Sequence, residues 1–133
     1  MVLVKIIFAL LPFAFGFNVN PDAYGNFTQY AEAHGFETST HEVTTEDGYI
    51  LTLFRISGVK GENSGTSKPV VLFQHGLLDN SDTWITNDPD KAPGFMMVNA
   101  GFDCWFSNAR GNKYSRYHTY LSRDSKEFWE FSW

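Results

Sequence analysis

Two short apolar stretches separated by a polar loop and a helix-like segment constrain the fold of this chain more than any other feature. Val70 to Phe73 is continuous and apolar, the pattern of a strand covered on both faces. Phe102 to Phe106 reads as a second buried strand. Between them a long polar loop, His75 to Pro93, leads into a short helix over Phe95 to Ala100 that Gly101 closes. Strand, helix, strand is a crossover unit, which favours a parallel, right-handed arrangement. Upstream, His41 to Glu46 is rich in β-branched residues, Asp47-Gly48 is a two-residue turn signal, and Tyr49 to Ile56 is a further strand. A hairpin leading into a crossover gives an α/β fold with a mixed sheet of at least four strands.

The flanking segments add an address and an opening helix. Lys5 gives a positive start, Ile6 to Phe15 is an apolar run interrupted only by Pro12, and Ala14 and Gly16 are small. This is the pattern of a signal peptide over residues 1–16, cleaved after Gly16, with a domain over 17–133. The run is shorter than the roughly 20 apolar residues a transmembrane helix takes. The expected location is outside the cell, or the lumen of a lysosome or vacuole. Pro21 to His34 reads as a helix with Ala23, Phe27, Tyr30 and Ala31 near one face and Gly35 as its stop. Gly58 to Pro69 reads as an exposed loop. Asn26-Phe27-Thr28 fits the acceptor pattern for N-glycosylation.

Charge and cysteine usage exclude several classes. The formal net charge is −5 with no basic stripe, which argues against nucleic acid as a partner. Cys104 is the one cysteine, so no intramolecular disulfide forms, and its place between Asp103 and Trp105 in a largely apolar run marks it as a buried filler. Asp79, Asp82, Asp88 and Asp90 lack the spacing of a calcium loop, so no metal is expected; capping of short turns accounts for them better. Arg110 is expected to form a buried ion pair bracing Gly111.

The chemistry concentrates in Phe73-Gln74-His75-Gly76-Leu77-Leu78-Asp79-Asn80-Ser81-Asp82-Thr83-Trp84, which leaves the end of a buried strand, where α/β folds place ligand-facing loops. In α/β-hydrolases the loop after the third strand donates a backbone N–H to the oxyanion hole. Here Gly76 would let the chain turn sharply, and Leu77 would offer its N–H where charge develops on a carbonyl oxygen. His75 is expected to pin that loop by hydrogen bonds. His34 and His41 read as surface positions and His118 as a solvated loop residue. Ser81 and Ser107 lack the strained strand-to-helix turn that exposes a nucleophile.

These blocks, with Val43 to Leu51, Asn108-Ala109-Arg110-Gly111-Asn112 and the closing Glu127-Phe128-Trp129-Glu130-Phe131-Ser132-Trp133, resemble the acid lipase family, which includes the gastric and lysosomal acid lipases. The resemblance spans about Pro21 to Trp133, and Asn26 falls where relatives tend to carry a glycosylation site. It implies the N-terminal portion of an α/β-hydrolase fold and hydrolysis of triacylglycerols or sterol esters by a Ser-His-Asp triad without a cofactor. It also implies Leu77 as the first oxyanion donor, with His75 and Gly76 supporting its loop.

The chain departs from that pattern in one respect: no Gly-x-Ser-x-Gly elbow occurs in it. In family members the elbow, the catalytic acid and the catalytic histidine follow later, and the crowding of aromatics at Phe128, Trp129, Phe131 and Trp133 points to a fold that continues past Trp133. A truncated portion of this kind is expected to be inert alone, because no nucleophile stands beside a base. The competing reading is a non-catalytic secreted protein, derived from a lipase, that binds lipid or a partner.

Overall fold

The computed structural model describes residues 25–62 and 67–132. The leader over 1–16, the start of the expected opening helix and the middle of the Gly58 to Pro69 loop lie outside the described residues. Asn26 fixes where that helix begins. Its side chain accepts from the backbone N–H of Gln29, and the Gln29 side chain accepts from the N–H of Asn26, so two orphan donors are satisfied reciprocally. Helix α1 therefore runs Phe27–Ala33, starting later than the Pro21 the apolar spacing indicated.

Strands β1 (Phe36–Thr44) and β2 (Tyr49–Val59) form the antiparallel hairpin, and both are longer than the β-branched clusters suggested. Pairing continues to Phe36 opposite Val59, with the register shifting where Glu37 faces Gly58 and Thr38 faces Ile56, so Ser57 is the extra residue of a bulge. Gly58 belongs to the strand, not to the loop. The turn also differs from the expected two-residue form. Gly48 donates to the carbonyl of Thr45 at 2.9 Å, and Thr45 donates to the carbonyl of Tyr49 at 2.8 Å. Glu46, Asp47 and Gly48 thus make a three-residue loop, with Gly48 in the left-handed region at φ 94° as such a loop requires.

The crossover follows as expected. Strand β3 (Val70–Phe73) leads through a 3₁₀ turn (Ser81–Trp84) and helix α2 (Pro93–Asn99) to strand β4 (Asp103–Phe106), which pairs parallel to β3. Pro93 opens α2 two residues before the expected start, at a position where its missing N–H costs no bond. The order across the sheet is β1-β2-β4-β3, with a short β5 (Tyr117–His118) paired to β2. The closing segment holds only a 3₁₀ turn, Glu127–Trp129.

Both helices cover the same face. Phe54 and Ile56 of β2 lie opposite Phe106 and Cys104 of β4, and these four are buried with Phe27 and Ala31 of α1 and Phe95 and Val98 of α2. Phe27 stacks on Phe54 with centroids 4.6 Å apart, and Phe36 stacks on Phe95 at 4.4 Å. Cys104 sits in this core as the filler its neighbours implied, and burial pushes its thiol up to about 11.

The opposite face has no helix over it among the described residues. There Arg55 forks onto Asp103 with two 2.8 Å bonds and lies over the ring of Trp105, which also packs on His41. His41 is therefore half-buried on the sheet rather than a free surface group. Val70 and Leu72 project from this face and stay exposed, Leu72 at 61%. The expectation that β3 is covered on both faces does not hold for these residues, because α1 and α2 share one side and β3 is the last strand of the order.

Two outcomes test this packing. Alanine for glycine in an exposed helix gains up to about 1 kcal/mol. At Gly94 of α2, however, a β-carbon would stand 2.9 Å from the Phe106 ring and 2.9 Å from the Trp84 carbonyl oxygen. Such overpacking costs about 1–3 kcal/mol, so Gly94→Ala lowers the midpoint of urea unfolding, and a raised midpoint contradicts the packing. The Arg55 guanidinium holds the Asp103 carboxyl below the ordinary range, against the opposing effect of burial. The stabilisation is therefore complete above the unfolded value of about 3.9 and is lost as pH falls through the lower folded value. Unfolding curves near pH 6 and near pH 3 should show a smaller acid loss for Asp103→Asn than for the parent; an equal loss contradicts the pairing.

Candidate functional site

The parallel pair β3 and β4 end side by side at Phe73 and Phe106, so the loops that follow them leave the same sheet end and face one another. A cavity of about 870 Å³ opens between these loops. Gln74 to Asn80 forms one wall and Ala109 to Lys113 the other, with Trp129 and Phe131 closing one end. It lies outside the carboxyl ends of parallel strands, where open α/β sheets place their ligands.

One buried carboxamide fixes the two walls. Asn108, 2% exposed, donates from Nδ2 to the carbonyl of Thr52 at 3.1 Å. Its Oδ1 accepts from the backbone N–H of Ser81 at 3.1 Å and from Nδ2 of Asn112 at 2.9 Å. Asn112 in turn accepts on its side-chain oxygen from the N–H groups of Tyr114 and Ser115. The Ser115 hydroxyl accepts from the N–H of Thr52 and donates to the carbonyl of Asn108. Strand β2, the 74–81 loop and the 107–115 loop are thereby joined through polar groups that are each satisfied.

His75 completes the brace. Its Nε2 accepts from the N–H of Ala109 at 3.0 Å, so the proton sits on Nδ1, which donates to the carbonyl of Gly76 at 2.8 Å. The ring's one acceptor nitrogen is thus occupied, which removes His75 as a base. Leu77 lines the cavity, is largely exposed, and its N–H donates to no described residue. The turn itself differs from expectation. Gly76 does not adopt a left-handed φ, and open space surrounds the position of a β-carbon there. The left-handed residue is Leu78, at φ 60°, with its side chain 99% exposed at the mouth of the cavity. A non-glycine residue in that region carries roughly 1–2 kcal/mol of strain.

Other residues singled out from sequence fall as follows. Arg110 forms an ion pair with Asp47 at the hairpin turn and lies over the rings of Tyr49 and Phe131. The pair is half-exposed rather than buried, because both partners stand at the rim of the sheet end. Gly111, at φ 81°, is pressed by the aromatics, since a β-carbon would lie 2.8 Å from the Trp129 ring. His118 is not a solvated loop residue. It belongs to β5, meets Tyr49 edge-on, accepts on Nδ1 from the N–H groups of Tyr120 and Leu121, and so donates from Nε2 to the Asp47 carbonyl. His34 caps α1 and is half-buried.

Among the acidic residues, Asp82 pairs with Lys113 and accepts from the Tyr114 hydroxyl, and Asp88 pairs with Lys91. The residue capping the 3₁₀ turn is Asn80, not an aspartate. Ser81 is buried, and the Ser107 hydroxyl points to Phe73 and Gln74. The structure adds a serine–histidine contact unforeseen from sequence, Ser39 to His41 at 2.9 Å. No described carboxylate accepts a hydrogen bond from that histidine, and it lies on the open sheet face away from the cavity.

Residues 27–88 match the family model described as the partial alpha/beta-hydrolase lipase region. The chain is 45% identical over 116 residues to human lipase member M, covering 86% of this chain and 27% of that protein. It is 44% identical over 114 residues to the bovine gastric triacylglycerol lipase, covering 85% and 29%. With the lysosomal acid lipase/cholesteryl ester hydrolase of Macaca fascicularis it shares 46% over 116 residues, covering 86% and 29%. The chain resembles the acid lipases over most of its length. It spans under a third of the length of the curated relatives it matches. The sheet and crossover described above are thus the N-terminal region of an α/β-hydrolase fold.

Removing the Asn108 carboxamide would leave the Thr52 carbonyl and the Ser81 N–H buried without partners. At about 1–3 kcal/mol for each orphaned group, Asn108→Ala costs about 3 kcal/mol of stability in urea unfolding. Backbone amides 76–81 should exchange with solvent faster in that variant; unchanged exchange there contradicts the brace.

Proposed function

We propose that this region supplies the first oxyanion donor of a serine ester hydrolase of neutral lipids, the N–H of Leu77. The observation that carries the reading is an amide without a partner among the described residues, at a cavity mouth, in a loop held by His75 and Asn108. Donors fixed in advance where charge develops are worth more than mobile ones, since no reorganisation accompanies the reaction. A triacylglycerol or a sterol ester is the proposed substrate class, in keeping with the names of the bovine and macaque relatives. The acid, the base and the nucleophile come from outside these residues. Among the described residues no helix is long and apolar enough to cross a membrane.

The same reading takes the chain into the secretory pathway, toward the outside of the cell or a lysosomal or vacuolar lumen, through the leader over 1–16. Glycosylation at Asn26 is part of it. The side chain is exposed and caps α1 through Oδ1 alone, so a sugar on Nδ2 leaves the cap intact.

The experiment is a chimera in which this chain replaces the matching 114 residues of the bovine gastric triacylglycerol lipase. Hydrolysis of tributyrin is the expected outcome. Leu77→Pro then removes the N–H, and kcat should fall about 10²–10³-fold. Retained activity in the folded proline variant would overturn the oxyanion role, and a folded but inactive parent chimera would overturn the hydrolase reading.

A further inference from the structure

The left-handed residue at the cavity mouth has a side chain that the backbone does not call for. Glycine or asparagine would take φ 60° with less strain, yet the position holds a leucine, and that leucine contributes nothing to the core because it is almost wholly exposed. Strain at a loop tip is retained where the side chain has a use outside the fold.

The cavity gives that use a direction. Leu77, Leu78, Trp129 and Phe131 give the lining apolar surface, and Lys113 and Arg116 line the same cavity. Lys113 is paired with Asp82, whereas Arg116 has no carboxylate within ion-pair distance among the described residues; its Nε donates to the Asn112 carbonyl. An apolar surface with an uncommitted guanidinium beside it complements one molecule with an alkyl chain and a negative head.

We propose that Leu78 is a specificity-determining residue of this cavity. Its side chain contacts the acyl chain of the ester and of the fatty-acid anion left after cleavage, whose carboxylate meets Arg116. The inference rests on the ester-hydrolase reading for the identity of the occupant. It adds a selector of chain length, held where it is by a backbone conformation unfavourable to leucine. Long acyl chains offer Leu78 more apolar surface to cover than short ones do.

The test uses the full chain and two saturated fatty-acid anions, dodecanoate and hexanoate, below their micelle concentrations. Binding is followed by calorimetry and by the change in tryptophan fluorescence, Trp129 being the tryptophan that lines the cavity. Leu78→Gly removes the side chain and the strain together, and Leu78→Asn keeps a residue that tolerates the same φ. Dodecanoate should bind the parent more tightly than hexanoate. Both variants should lose about fivefold or more of the dodecanoate affinity and change hexanoate affinity less, as expected from part of a leucine's burial. The melting temperature of Leu78→Gly should be equal to or above that of the parent.

Dodecanoate affinity within about twofold of the parent in both variants would overturn the proposal. So would lack of saturable binding by the parent, or a loss of affinity accompanied by a lower melting temperature in both variants, which marks a structural role. The two readings fail separately. An inactive chimera beside Leu78-dependent binding removes the hydrolase function alone, and an active chimera beside Leu78-independent binding removes the selector alone.

Discussion

The carboxamide of Asn108 joins segments that share no secondary structure. It comes directly after a buried strand, where the chain must stop burying side chains and begin to present them. An apolar residue there would leave the Thr52 carbonyl and the Ser81 amide each without the partner Asn108 supplies. An aspartate would offer oxygen to oxygen at Thr52. Asparagine, with a donor and an acceptor on one planar group, satisfies both sides. The loop bearing Leu77 is positioned because of this, and His75 and Asn112 extend the same network to the facing loop. The cavity thus has walls tied together beneath it and open above.

Much of the fold is legible in the sequence, for reasons that differ by element. The crossover is marked because Val70 to Phe73 is short and apolar, the run ending at Phe106 is apolar but for Asp103, and Gly101 closes the helix between them. The hairpin is marked by Asp47-Gly48. Lengths are harder to read, because pairing in β1 and β2 runs on through residues such as Glu37 and Gly58 that carry no strand preference. Hydrogen bonding to a neighbour decides there, and a neighbour is not written locally. The covering of β3 on both faces is likewise a property of layers, and both described helices lie on one side.

The site is legible in part. The His-Gly-Leu-Leu stretch after a strand marks the loop, and the resemblance to acid lipases is matched by relatives at about 45% identity. Asn108 and Asn112 went without a role in sequence reasoning, although two asparagines four apart behind an apolar strand are a usable sign of a polar brace. The sharp turn expected at Gly76 goes with a left-handed residue two positions on, Leu78. Propensity alone would never choose a leucine there, and such disagreements between local preference and structure cluster where a protein acts on something else.

The strand order β1-β2-β4-β3 has a consequence for synthesis. The hairpin is complete once Val59 has emerged, and β3 soon after, but these two pieces have no bonds to each other until β4 arrives to sit between them. Phe106 is made 33 residues after Phe73 (106 minus 73). At ribosomal speeds of about 5–20 residues per second that is roughly 2–7 s. During that interval two hydrophobic edges coexist on a nascent chain with nothing between them. In a cell this is a window for chaperone engagement, set by topology rather than by stability.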